Sequence, residues 1–206
     1  MMELIAAERR ALADALGTVT EAQWHGESMC EGWTPVHVLA HLTMPFRISA
    51  EDFTAGLQRC GGDFTAFSDQ IADRDSSLPP GQLVAVLRDN ADNPWSPPGG
   101  GLAGALSHDL IHGLDITWPL SLRYPIDDQA MTGVLDSVTS AGAQTVFGVA
   151  LDGVRVTATD LEWSAGDGAE LAGASRDLLL LLAGRAVPAD RFAGPAAGLI
   201  GAAATR

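Results

Sequence analysis

Lysine is absent from this sequence. All of its 12 basic residues are arginine, against 26 acidic ones, and the formal net charge is −14. That balance speaks against nucleic acid and anionic membrane surfaces as partners, since both need a basic face. An anionic ligand would have to find local positive charge, from a metal ion or a particular arginine. Long apolar runs are missing as well: the richest, residues 178–183, falls far short of the ~20 residues of a membrane span. Only 2 cysteines occur, Cys30 and Cys60. They make no disulfide framework, suit a reducing compartment, and read as small buried hydrophobes rather than nucleophiles. The opening Met-Met-Glu-Leu soon reaches Glu8, Arg9 and Arg10 and lacks the basic-then-apolar order of a secretory leader, so the expected location is the cytoplasm. Two nucleophile or phosphate motifs are also absent. Gly99-Gly100-Gly101 has neither the preceding strand nor the lysine of a phosphate loop, and no Gly-X-Ser-X-Gly appears.

What is present is enough apolar material, 47% of 206 residues, for one domain with a small appendage. Leu4, Ile5, Leu12 and Leu16 recur at helical spacing and predict a helix over 2–16. Thr34 followed by Pro35 is a helix start, because proline at the first helical position loses no hydrogen bond. A second helix is expected from 35 to about 60, kinked at Pro45 and stopped by Gly61-Gly62. Shorter helices follow over 64–72 and 81–90. The proline- and glycine-rich stretch 92–101 is a loop. A long helix over 102–118, ended by Pro119, and another over 127–146 complete a helical domain placed at 1–147. After Gly148 the pattern changes. Residues 154–160 alternate with period two, as in a half-buried strand. A turn at 165–168, a return strand at 170–172 and an apolar helix at 175–184 make 148–206 a small α+β domain.

Four of the 5 histidines fall in two pairs at i, i+4: His37/His41 and His108/His112. On a helix such a pair lies on one face, roughly 5–6 Å apart at Cβ. Two imidazoles can then reach one metal at about 2.0–2.1 Å, with a further ligand from a facing helix. Asp115 lies near the face of His112 and can accept the second ring N–H of a ligand histidine. The plainer readings make His25 a surface residue, His37 a solvent-facing residue of a first helical turn, and Trp33 a core anchor.

Three stretches carry a family resemblance. Cys30-Glu-Gly-Trp-Thr-Pro-Val-His-Val-Leu-Ala-His-Leu42 resembles the opening motif of the mycothiol-dependent maleylpyruvate isomerase family, within the larger DinB-like metal-binding bundles. His108-Asp-Leu-Ile-His-Gly-Leu-Asp-Ile-Thr-Trp-Pro-Leu120 resembles its metal helix. Asp160-Leu-Glu-Trp-Ser-Ala-Gly-Asp-Gly168, followed by Leu178 to Arg185, is similar to its small C-terminal domain. Together the three cover most of the chain in the family's order.

The resemblance implies a mainly α protein, a DinB-like four-helix bundle followed by the small α+β domain. It implies a divalent metal, usually zinc, held by His41, His108 and His112, with His37 outside the ligand set. It further implies mycothiol, the small thiol of actinobacteria, as cosubstrate, which agrees with a lysine-free, alanine-rich composition of GC-rich coding. The expected activity is isomerisation or thiol S-transfer through addition of metal-bound thiolate to a small electrophile, by a monomer or homodimer. The alternative is a non-catalytic metal-binding module for a ligand or partner. Characterised isomerases of the family carry Glu where this chain has His108, so the neutral ligand set leaves a +2 centre. No motif places Arg74 or Arg88 for a dicarboxylate substrate. Arg47 lies about 240° round the helix from His41.

Overall fold

The structure, a computed structural model, describes residues 1–140 and 151–199. It divides into two compact units, Met1–Ile126 and Asp127–Arg206. The first unit is helical: α1 (Met2–Leu16), α2 (Glu21–Trp24), α3 (Pro35–Arg47), α4 (Ala50–Arg59), α5 (Phe64–Asp75), α6 (Pro80–Asp89) and α7 (Gly101–Thr117). Helices α1, α3, α6 and α7 form the bundle. α1 packs on α6 and α7, and α3 packs on α6, α7 and α5. Leu12 and Leu16 of α1, Leu39 and Leu42 of α3, Leu83 and Leu87 of α6, and Ile116 of α7 meet in one core. Gly113 lets α1 approach α7 closely: a Cβ there would stand 2.9 Å from the Tyr124 hydroxyl and 3.0 Å from Leu12.

The single kinked helix expected over 35–60 is two helices. α3 runs two residues beyond Pro45 and ends where Ile48 turns extended, at φ −110° and ψ 133°. Ser49 then starts α4, its hydroxyl accepting the Asp52 N–H at 3.0 Å. A serine able to cap a new helix so soon after a proline makes a break cheaper than a bend. Helix α5 extends one turn past its expected end, through Asp75.

The second unit holds α8 (Asp128–Thr139) and four strands, β1 (Val154–Ala158), β2 (Ser164–Ala165), β3 (Ala169–Gly173) and β4 (Phe192–Ala193), with α9 (Ser175–Leu182) between β3 and β4. Sheet order is β2-β1-β3-β4. The return strand expected at 170–172 is β3, and it runs parallel to β1, with Val156 opposite Leu171. β2 takes the antiparallel position beside β1 instead. Two tight glycines then reverse the chain again. Gly166 (φ 77°) and Gly168 (φ 129°) adopt left-handed backbone, and a Cβ on either would collide with the Val154 or Gly153 carbonyl oxygen at 2.3 and 2.2 Å. α9 packs on α8 and β1. Leu178, Leu179, Leu180 and Leu182 are buried, as is Trp163, whose indole N–H reaches Asp136 at 2.8 Å. The helix expected to reach Val146 ends at Thr139, where Ser140 turns extended at φ −63° and ψ 152°; the boundary expected between 147 and 148 lies outside the described residues. Among those described, no helix is long and apolar enough to cross a membrane.

Candidate metal centre

His41 sits mid-way along α3, buried to 5% exposure, and faces the two histidines that α7 presents one turn apart. The three ring centroids lie 5.2, 4.8 and 5.0 Å from one another. One nitrogen from each of His41, His108 and His112 falls within 4.8 Å of the others. Sequence reasoning left two i, i+4 pairs open, and the structure separates them. His37 does not join the group. Its Nδ1 accepts the Thr34 N–H at 3.4 Å and meets the Thr34 hydroxyl at 2.6 Å, closing the start of α3 as a capping-box partner does. Its Nε2 lies 3.6 Å from Asp73. His25 stays at the surface beside Glu21.

Each of the three grouped rings is tied at Nδ1. His41 meets the buried Ser68 hydroxyl at 2.8 Å, His108 meets Asp109 at 3.0 Å, and His112 meets Asp115 at 2.9 Å. An ionised carboxylate can only accept, so in neutral His108 and His112 the proton sits on Nδ1 and Nε2 is the nitrogen with a lone pair for a metal. His108 Nε2 stands 3.3 Å from His41 Nε2. Two lone pairs at that separation repel unless a proton or cation lies between them. A tetrahedral ion with bonds of about 2.0–2.1 Å spaces its ligands roughly 3.3–3.4 Å apart, which is the spacing of this pair, with the His112 nitrogen within 4.8 Å of both. Burial pushes the His41 pKa well below the ordinary histidine value. His112 and His108 lower it further, and Asp115 opposes them. The ring is therefore kept neutral, the form that binds metal.

Behind the rings lies a polar network that sequence reasoning missed. Arg9 is fully buried, and its Nε donates to Asp109 at 2.6 Å. Nη1 donates to the Asn93 and Asn90 carbonyls at 2.7 and 3.2 Å. The guanidinium lies 5.0 Å from the centre of the Phe46 ring. A buried carboxylate is costly alone, and Arg9 gives Asp109 the buried partner it needs beside His108. The available signal was position: with Ile5, Leu12 and Leu16, Arg9 occupies the apolar stripe of α1. On the other side the Cys30 thiol donates to Asp115 at 3.0 Å, and the Met29 N–H reaches the Asp115 carbonyl at 3.0 Å. Cys30 is thus half-buried and hydrogen-bonded, where a small buried hydrophobe was expected; Cys60 is also half-buried.

Aromatic rings border the centre. Trp33 lies 5.3 Å and Phe64 6.5 Å from His41, and Trp95 lies 5.2 Å from His108. Trp33 packs on the core as expected, and its indole also donates to Asp69 at 3.1 Å. The candidate arginines are engaged elsewhere. Arg47 folds back onto the Ala40 carbonyl at 2.7 Å and pairs with Asp75. Arg74 pairs with Asp75 at 2.6 Å and Arg88 with Asp14 at 2.5 Å. Burial pushes the Asp75 pKa up, but Arg74 and Arg47 outweigh it and hold the carboxyl below the usual range.

Fold and site define a class: a helical bundle that gathers three histidines from two facing helices, each anchored through Nδ1. Residues 5–93 match the family model of the mycothiol maleylpyruvate isomerase N-terminal domain. The match takes in His41 and ends before His108. Two solved structures share the fold. A mycothiol-dependent maleylpyruvate isomerase superposes with a TM-score of 0.64 at 15% identity, over 95% of this chain and 92% of that one. A histidine-to-alanine mutant of a mycothiol-dependent maleylpyruvate isomerase gives 0.62 at 14% identity, with the same coverage. No curated protein matches the chain.

Proposed function

We propose that this protein is a mycothiol-dependent metalloenzyme, an isomerase or thiol S-transferase acting on a small electrophile. Its divalent ion, zinc by donor chemistry, would be held by His41, His108 and His112. The observation that carries the reading is the convergence of three imidazoles whose Nδ1 atoms are all engaged. Three protein ligands are the pattern of a catalytic rather than a structural zinc site. An ion held there would supply positive charge that favours ionisation of a thiol whose free pKa is about 8.5.

The chain's own residues do the rest. Asp109 and Asp115 fix the tautomer and tilt of His108 and His112, and Ser68 fixes His41. Arg9 pairs with Asp109 and holds it in place. The Cys30 thiol donates to Asp115 and groups with His112 and Asp115, and the nucleophile is assigned to the mycothiol thiol. The family match and the fold support mycothiol as the thiol. The charge of −14 supports a small-molecule partner over nucleic acid, and two free cysteines support a cytoplasmic setting.

Metal analysis with histidine substitutions tests the ligand set. About one zinc per chain is expected, lost in His41→Ala and His112→Ala and kept in His37→Ala. A His37→Ala chain that loses its metal while His108→Ala keeps it would overturn the assignment. Turnover of an electrophile only when mycothiol is added separates an enzyme from a non-catalytic metal-binding module.

A further inference from the structure

We infer that Cys30 is a positioning residue of the metal centre: its thiol holds the Asp115 carboxylate, and through it the His112 ring, in the orientation a metal ligand needs. The inference rests on the proposed ligand set of His41, His108 and His112. One oxygen of Asp115, Oδ2, takes both contacts. The Cys30 thiol donates to it at 3.0 Å, and His112 Nδ1 meets it at 2.9 Å. The two contacts come from different parts of the chain. Asp115 lies three residues after His112 on α7, whereas Cys30 is 85 residues away in sequence. Asp115 is fully buried. A carboxylate held only from its own helix can turn about its side-chain bonds, and a donor from a second segment removes that freedom.

The thiol is itself held. The Ser28 hydroxyl donates to the Trp33 carbonyl at 2.7 Å and accepts the Cys30 N–H at 3.1 Å. The Trp33 N–H closes on the Cys30 carbonyl at 3.1 Å, and Gly32 supplies the left-handed backbone of this turn at φ 79°. The Met29 N–H then pins the turn to α7 through the Asp115 carbonyl at 3.0 Å. Main-chain and thiol contacts thus fall on one residue of α7. The other ligand of that helix is built the same way: His108 Nδ1 meets Asp109, and Arg9 donates to Asp109 from α1. Each histidine of α7 has a buried carboxylate behind it, and each carboxylate has a donor from a distant segment. One atom from each of Cys30, His112 and Asp115 also falls within 4.8 Å of the others, so a ligand role for Cys30 is the rival reading. The contact of His112 with Asp115 through Nδ1, which leaves Nε2 for the metal, favours support over ligation.

The test is zinc affinity of the full chain in a chelator competition, together with the visible spectrum of its cobalt-substituted form. Cys30→Ala should lower zinc affinity about three- to tenfold and shift the cobalt d–d bands while the chain stays folded. Cys30→Ser restores a donor and should recover most of the affinity. Cys60→Ala removes the thiol at the end of α4 and, as the control, should change neither readout. In an Asp115→Asn chain, Cys30→Ala should have little further effect, because the thiol acts through that carboxylate. Affinity and spectrum unmoved by Cys30→Ala would overturn the inference, as would a full additional loss in the Asp115→Asn chain. A sulfur-to-cobalt charge-transfer band in the resting protein that vanishes in Cys30→Ala would make Cys30 a ligand and overturn it too. The ligand set is read separately from His112→Ala. Zinc lost there but indifferent to Cys30→Ala refutes this inference alone, and zinc kept there refutes the ligand set and this inference with it.

Discussion

The two units bury different things. In the first, Arg9, His41, Ser68, Asp75, Asp109 and Asp115 all lie inside, and among the described residues of the second only Ser175 and Asp177 are buried polar groups. The second unit is held by the leucines of α9 and by Trp163, side chains that need no partner beyond volume. The first carries groups that are unfavourable inside unless each finds its complement. A chain that concentrates buried charge around three histidines gives up stability there for geometry, which is what a site requires and a spacer does not.

That contrast can be broken by substitution, and the largest effect should be at Arg9. Arg9→Met leaves Asp109 buried without its cation and should cost about 3–5 kcal/mol in chemical denaturation. An ion pair of the second unit makes the control: Arg191 meets Asp177 at 3.0 Å but is 45% exposed, so Arg191→Ala should cost less than half as much. Equal losses would show that burial does not set the difference. Next in size, Leu179→Ala in the fully buried stripe of α9 should cost about 2–5 kcal/mol through the cavity it leaves. A loss under about 1 kcal/mol would mean the second unit is not held by its apolar core.

Asp109→Asn tests the site rather than the fold. It keeps shape but removes the charge that orients His108, and zinc affinity in a chelator competition should fall about 10- to 100-fold. Unchanged affinity would make the Arg9–Asp109 pair purely structural. A smaller effect should appear in acid. The folded Asp75 carboxyl titrates below its ordinary 3.8 because Arg74 and Arg47 favour the charged form. The unfolded chain therefore takes up this proton first, so the pair's contribution is complete above about pH 4 and is lost as pH falls through the lowered value. Asp75→Asn should flatten the acid limb of a stability-against-pH curve, and an identical limb in both proteins would remove Asp75 from the account.

Helix positions, the Thr34-Pro35 start, the change of character before Val154 and the three histidines could be read along the chain, because each rests on contacts within about four residues or on a motif. So could Asp115, three residues from the His112 it holds. Other features could not. Spacing alone does not tell His37 from His41; the motif put His37 outside the ligand set, and the approach of α7 and α5 supplies the physical reason that one ring enters the centre and the other closes a helix end. Arg9 and Asp109 are 100 residues apart, and nothing near Arg9 announces its partner beyond its place on an apolar stripe. The break at Ile48, the parallel pairing of β3 with β1, and the meeting of Trp33, Phe64 and Trp95 around the histidines were decided in three dimensions. Local propensity and periodicity act over a turn or a strand. The groups that charge, orient and border this centre come from α1, α3, α5, α7 and two loops, and only the packed bundle brings them within a few ångströms.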